Sequence, residues 1–296
     1  MSSRRPTRRK AAGRINYNVD VLSSAFDIDG HGEGRLKKRK ISAKVANMSG
    51  SRSNKRTRKM MTTAEKERLA DGKQPYQGAG KRAPAAEILS ERAPLPTRSK
   101  NGELVFRDYP EFRPNLTPAE VLRLGSFGGT YFRPIRSGVT GASYTTKEVL
   151  REYPKEWFEG IDVKMQLGSK TYRIEQNRYR VKCGGSLDMW EGSGWISPID
   201  PYGWFQWYCR FYLGRRSTDD DRQIKRGLGV MGIKGRFRNQ LISKCARGGT
   251  SFDDERISPV IRQSLQHWGY VLTKRDADKY IKLKKLPALK AKPRGR

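Results

Sequence analysis

Apolar and polar positions are spread unevenly along this chain. Up to about residue 100 the only aromatic side chains are Tyr17, Phe26 and Tyr76, set among Ser, Gly, Lys, Arg, Ala and Pro. A segment of that composition cannot bury enough apolar surface to offset its ordering entropy, so residues 1–100 read as a disordered arm. Within it Asn18–Asp29 is apolar and acidic, and reads as a spacer or a short partner-binding motif. All six tryptophans lie beyond residue 150. Residues 101–285 therefore read as one globular, tryptophan-rich domain, of a size that encloses a single core. Residues 286–296 form a short basic tail.

Inside the domain the pattern is mostly helical. Thr117-Pro118-Ala119-Glu120 combines a cap, a first-turn proline and a capping-box acid, and Gly125 stops that helix. Ser126–Pro134 is a tight, glycine-containing turn into an aromatic segment. Thr145 with Glu148 opens a second short helix that Pro154 interrupts, and Glu156-Trp157-Phe158 adds a further turn. Lys170–Ile174 and Arg178–Lys182 alternate on either side of Glu175-Gln176-Asn177, which predicts a β-hairpin. Ser186–Glu191 is a short helix ended by Gly192 and Gly194.

Asp200–Arg216 (DPYGWFQWYCRFYLGRR) fits either period, but its ends select a buried helix, with Asp200 as cap, Pro201 in the first turn and Gly214 just past the end. A helix capped by Thr218 or Asp219 runs to Arg226, and Gly227, Gly229 and Gly232 make a loose connection. Lys234–Arg247 is amphipathic, with Phe237, Leu241, Ile242 and Cys245 inward. Ser258-Pro259 starts a helix that runs to His267-Trp268, and Thr273 with Asp276 caps the last. The fold class is mainly α (α+β): a multi-helical single domain with a small β-hairpin, preceded by a long basic arm.

Charge gives this architecture a partner. With 62 Lys and Arg against 30 Asp and Glu, the formal net charge is +32 and the pI about 10.4. Such an excess repels itself until an anion neutralises it, and nucleic-acid backbone is the commonest such anion. The arm concentrates cations at Arg4–Lys10, at Arg35, Lys37, Lys38, Arg39 and Lys40, and at Lys55, Arg56, Arg58 and Lys59. These clusters suit a nuclear import receptor or phosphate contact, so a nuclear location is expected. An Arg-rich start also fits a mitochondrial presequence, the weaker reading given the later clusters. No apolar run is long enough to span a bilayer, and no membrane association is expected.

The domain's own basic constellation is Arg215, Arg216, Arg222, Lys225, Arg226, Lys234, Arg236, Arg238, Asn239, Gln240 and Lys244, flanked by Arg210 and Arg247. It reads as helix, glycine-rich turn, helix. Arg, Asn and Gln at the start of the second helix are the side chains that match guanine and adenine edges in a major groove. The turn is longer and richer in glycine than a usual helix-turn-helix. Tyr172, Tyr179 and Trp195, interleaved with arginines or glycines, are the candidates for stacking on unpaired bases; the other tryptophans read as core.

An enzyme is the weaker class. The domain's one histidine, His267, reads as a satisfied structural residue, and no nucleophile-base signature surrounds it. Carboxylates alone suffice for metal-dependent phosphodiester chemistry. The candidates are Asp188, Glu191, Asp200, Asp219, Asp220, Asp221, Asp253, Asp254 and Glu255, whose plainer role is helix-dipole compensation. The glycines from Gly227 to Gly235 lack the Lys-Ser/Thr ending of a phosphate loop. Cys183, Cys209 and Cys245 read as core thiols of a reducing compartment. No cofactor and no metal are expected. The expectation is a nuclear DNA- or RNA-binding protein, with a carboxylate-metal nucleic-acid-processing enzyme or an RNA-associated scaffold as alternatives.

Three segments, Phe112–Ile135 (FRPNLTPAEVLRLGSFGGTYFRPI), Asp200–Arg216 and Ile257–Tyr270 (ISPVIRQSLQHWGY), resemble an uncharacterised family of eukaryotic hypothetical open reading frames. The resemblance covers essentially everything after residue 100. It implies the domain boundary and a eukaryotic nuclear setting, and brings no activity, fold or site residue with it.

Overall fold

The computed structural model describes residues 85–290. In chain order its elements are β1 (Thr97–Arg98), β2 (Leu104–Val105), α1 (Pro118–Arg123), β3 (Ile135–Arg136), β4 (Ser143–Tyr144), α2 (Thr146–Leu150), α3 (Val163–Gln166), α4 (Leu187–Gly192), α5 (Trp204–Tyr212), α6 (Asp220–Met231), α7 (Arg236–Arg247), α8 (Pro259–His267) and α9 (Lys274–Lys284). β1 pairs antiparallel with β2, and β3 with β4. The domain is thus helical with minimal sheet.

Local chemistry sets the helix starts. The Thr117 hydroxyl accepts from the Glu120 N–H at 3.1 Å while the Glu120 carboxylate accepts from the Thr117 N–H at 2.7 Å. Thr145 and Glu148 repeat this reciprocal pair at α2. Ser186 and Thr273 cap α4 and α9 by accepting from Met189 and Asp276. Each satisfies first-turn amides that the helix itself leaves without acceptors.

Helix α5 forms the centre of the core. Trp207, Tyr208, Cys209 and Phe211 are fully enclosed, as a helix apolar on all faces must be. Phe106 and Trp207 pack on Phe211 at 4.9 and 4.8 Å between ring centroids, and Trp204 meets Trp268 at 4.2 Å. The polar ends of these rings are paired. Trp207 Nε1 donates to Asp220 at 2.8 Å, Trp204 Nε1 to the Gln223 carbonyl at 3.0 Å, and the Tyr208 hydroxyl to the Leu116 carbonyl at 2.6 Å. The helix begins at Trp204, not at Asp200, with Gly203 in the left-handed region at φ 88°. Asp200 does not cap it. Its buried carboxylate takes both terminal nitrogens of Arg215 at 2.8 and 2.6 Å and one of Arg210 at 3.0 Å. Two guanidinium groups are stronger partners for a desolvated carboxylate than first-turn amides.

Lys170–Lys182 is not a hairpin; the antiparallel pairs lie at 97–105 and 135–144 instead. Its backbone donors go elsewhere: Ser169 N–H to Gly129, Arg173 N–H to Gly128 and Arg178 N–H to Gly125. The segment folds around Asn177. This buried amide donates to the Tyr172 hydroxyl and the Val181 carbonyl, both at 2.7 Å, and accepts from the Gly128 N–H at 2.8 Å. Alternation in the sequence could not reveal that the glycine turn competes for the same amides. The turn itself needs glycine: at Gly129 φ is 78°, and a Cβ would lie 2.2 Å from the Met165 carbonyl.

Two boundaries also move. Residues 87–98, assigned by sequence to the arm, belong to the domain. Leu89 and Ala93 donate backbone N–H groups to the carbonyls of Arg216 and Gly214, Thr218 donates to the Glu87 carbonyl, and β1 follows. Backbone pairing needs no aromatic side chains, so composition underrated this stretch. Helix α6 continues through Gly227 and Gly229 to Met231. A Cβ at Gly227 would sit 3.1 Å from Phe112 and 3.2 Å from Trp204. The glycine lets the helix axis approach those rings and does not break the helix.

Candidate nucleic-acid interface

With α6 extended, only Gly232–Gly235 separates it from α7, and the Gly235 N–H closes this turn on the Gly232 carbonyl at 2.8 Å. The pair therefore has the short glycine-bearing connection of a helix-turn-helix unit, tighter than the sequence suggested. Phe237, Leu241, Ile242 and Cys245 face the core. Arg236, Gln240, Lys244 and Arg247 are exposed. Their spacing of four, four and three residues puts them in one stripe on the opposite face.

The candidate cations divide into two sets. Arg215 and Arg216 are buried. Arg215 is held by Asp200, and Arg216 by Asp108 at 2.6 and 3.0 Å, with its guanidinium 3.9 Å from the Phe211 ring centroid. Arg222 pairs with Asp219 at 2.5 Å. Arg226 donates to Gln223 at 2.8 Å and lies over Trp195. Arg238 pairs with Asp276 at 3.1 Å and lies over Tyr270, which joins α7 to α9. Asn239 is half-buried. These side chains hold the domain together. Lys225, Lys234, Arg236, Gln240 and Lys244 reach solvent, together with Arg247.

The electrostatics of α7 are unusual for a helix. From Gly232 to Phe252 the chain carries five Lys and Arg and no acid. The first turn of α7 has no acid and its cap no side-chain hydrogen bond, whereas α6 opens with Asp220 and Asp221. Cations near a helix N-terminus oppose the dipole. An anion placed there relieves both that opposition and the mutual repulsion of the stripe.

Sequence reasoning missed a neighbouring set. Helix α9 exposes Lys279, Lys282 and Lys284, with Lys285 just past its end; Lys274, at its start, is exposed too but pairs with Asp278. The Lys290 side chain comes within 3.5 Å of where a Cβ on Gly249 would stand, at the C-terminal end of α7. No acid follows Asp278 in the chain, and that run was the available signal. The import clusters at Arg35–Lys40 and Lys55–Lys59 lie outside the described residues.

The three stacking candidates are already engaged. The Tyr172 ring covers Gly128, and its hydroxyl is held by Asn177 and Cys183. Arg178 lies over Tyr179, and Arg226 over Trp195. Several of the candidate carboxylates are engaged as well: Asp219 with Arg222 and Gln223, Asp220 with Trp207 and Ser217, Asp254 with Arg256, and Glu255 with Arg178, while Asp188 and Asp221 are exposed. Among the described residues no group of three or more His, Cys, Asp or Glu is placed to hold a metal ion. No helix among them is long and apolar enough to cross a membrane. Cys183, Cys209 and Cys245 are buried and unpaired.

His267 is structural. Its Nε2 accepts from the Phe127 N–H at 3.0 Å, and its ring stacks on Phe127 at 4.0 Å. Phe127 has a positive φ of 56°, so the histidine fastens a strained turn. Burial lowers the imidazole pKa from 6.5 to about 3. The folded value lies below the unfolded one, so this contribution is present above pH 6.5 and is lost as pH falls towards 3. Stability should fall by roughly 2 kcal/mol between pH 7 and pH 5, and His267→Gln should flatten that slope. Urea midpoints at the two pH values check it; equal slopes in both proteins would refute the assignment.

No protein-family model, no curated protein and no solved structure matches this chain.

Proposed function

We propose that this is a nuclear nucleic-acid-binding protein in which the exposed face of α7, extended by α9, meets the phosphate backbone while the basic arm adds non-specific affinity. The observation that carries the reading is the stripe Arg236, Gln240, Lys244, Arg247: solvent-facing, without an acidic neighbour in sequence, and set on the helix that follows a tight turn. Most other arginines of the basic region are neutralised within the domain, so these groups stand out as charge with no internal use. The clusters at Arg35–Lys40 and Lys55–Lys59 supply the argument for a nuclear import receptor as a second partner. Several of the carboxylates a metal-dependent enzyme would need (Asp200, Asp219, Asp220, Asp254 and Glu255) are tied to arginines, tryptophan or serine, which favours binding over catalysis.

Titration of the full chain with duplex DNA, duplex RNA and single strands between about 50 and 200 mM salt tests this. Six or more neutralised phosphates predict a loss of affinity on the order of a thousandfold over that range. Affinity independent of salt would overturn the proposal.

A further inference from the structure

The turn between α6 and α7 carries an apolar side chain where solvation disfavours one. Ile233 is 76% exposed, the highest value among the exposed large hydrophobic residues of the described region. It occupies a corner of the Gly232–Gly235 turn, with Lys234 at the other corner and Arg236 just beyond. The turn is pinned on both sides: Gly232 N–H donates to Leu228 at 3.0 Å, Gly235 N–H to Gly232 at 2.8 Å, and Asn239 N–H to Gly235 at 3.0 Å. At Gly235 a Cβ would stand 2.5 Å from the Val230 carbonyl, so the tip is narrow and its backbone closely packed.

Single exposed aliphatic residues are ordinary on protein surfaces. Three observations distinguish Ile233. It projects from a hydrogen-bonded turn between two helices. Two cations, Lys234 and Arg236, follow it within three residues, and no acid lies within ten residues of it in the chain. No aromatic residue is among the exposed large hydrophobic side chains of the described region, whereas this aliphatic one stands clear of the surface.

Resting on the nucleic-acid reading above, we propose that Ile233 is an apolar wedge that enters between stacked bases of duplex DNA. Lys234, Arg236 and Lys244 hold the flanking phosphates. Aliphatic side chains inserted at a base step open the stack and kink the duplex, and the extra phosphate contacts offset the cost. Pyrimidine–purine steps such as T-A open most readily, so the wedge would give a preference for flexible steps with no hydrogen bond to a base edge. The partner that fits this surface is therefore a deformable duplex, chosen by its stacking energy.

The test uses the full chain and a short DNA duplex carrying 2-aminopurine at its T-A steps, whose fluorescence rises on unstacking. Wild type should raise the signal, and Ile233→Ser should abolish that rise. The variant should also lower affinity about tenfold while leaving the dependence of affinity on salt unchanged, because no cation is lost. As the side chain is exposed, Ile233→Ser leaves thermal stability near that of wild type. No signal with wild type, or equal signals and affinities in both proteins, would overturn the wedge. A protein pocket as the true partner of Ile233 would show as this second outcome. If instead Arg236→Glu with Lys244→Glu leaves duplex binding and its salt dependence untouched, α7 is not the phosphate-binding face and the reading on which the wedge rests fails, whatever Ile233 does.

Discussion

Asp200→Ala is expected to destabilise the protein by roughly 3–5 kcal/mol, the usual result of removing one member of a buried ion pair. Asp200 has no solvent exposure, and its two oxygens accept from Arg215 at 2.8 and 2.6 Å and from Arg210 at 3.0 Å. The consequences for the two arginines differ. Arg210 keeps the Glu152 carboxylate at 2.7 Å, whereas among the described residues Arg215 forms its salt bridge with Asp200 alone and would be left buried and charged. These contacts tie the loop before α5 to the chain just after it, so their loss acts on both ends of the central helix. Combining Asp200→Ala with Arg215→Leu should restore much of the loss, since two apolar side chains do not leave an unpaired charge. Urea midpoints of the two variants check this. A single variant within about 1 kcal/mol of wild type, or a double variant worse than the single, would show that the pair does not anchor α5.

The same residue shows where the sequence stops being legible. An aspartate followed by proline ahead of an aromatic run has the signature of a helix cap, and local signals of that kind located the starts of α1, α2, α4 and α9 correctly. Each of those caps is satisfied within four residues of chain. Asp200 is claimed by arginines ten and fifteen residues away, and Asn177 by Gly128 forty-nine residues back. Such partners lie outside any local window, which is why the expected hairpin at Lys170–Lys182 gave way to a loop wrapped around an amide. The amphipathic pattern of α7 was local, and its buried residues were correctly anticipated.

The candidate site was partly legible for the same reason. Sequence located the dense run of basic residues but not which of them are neutralised internally. Arg215, Arg216, Arg222 and Arg238 find acids or aromatic faces at short range once the chain folds. Lys225, Lys234, Arg236 and Lys244 remain exposed. Density of charge marks a region; only folding separates the cations that hold the domain from those that face outward. Ile233 was invisible in sequence because it lies at the edge of an amphipathic helix, where an apolar residue would be assigned to the core.

Arg236→Glu combined with Lys244→Glu is expected to weaken duplex binding by the full chain roughly thirtyfold and to reduce the slope of affinity against salt by about two. Each substitution removes one phosphate contact and adds one repulsion. Stability should change little, because the two helix-end effects oppose: an acid suits the first turn of α7, where Arg236 sits, and a cation suits the last turn, where Lys244 sits. Net charge alone could mimic this result, since the double variant lowers it by four. Lys147→Glu with Lys164→Glu makes the same change at exposed positions on α2 and α3, and it should leave affinity within about threefold of wild type at moderate salt. Equal losses in the two double variants would mean that overall charge and the arm carry the binding, and that α7 contributes no surface of its own.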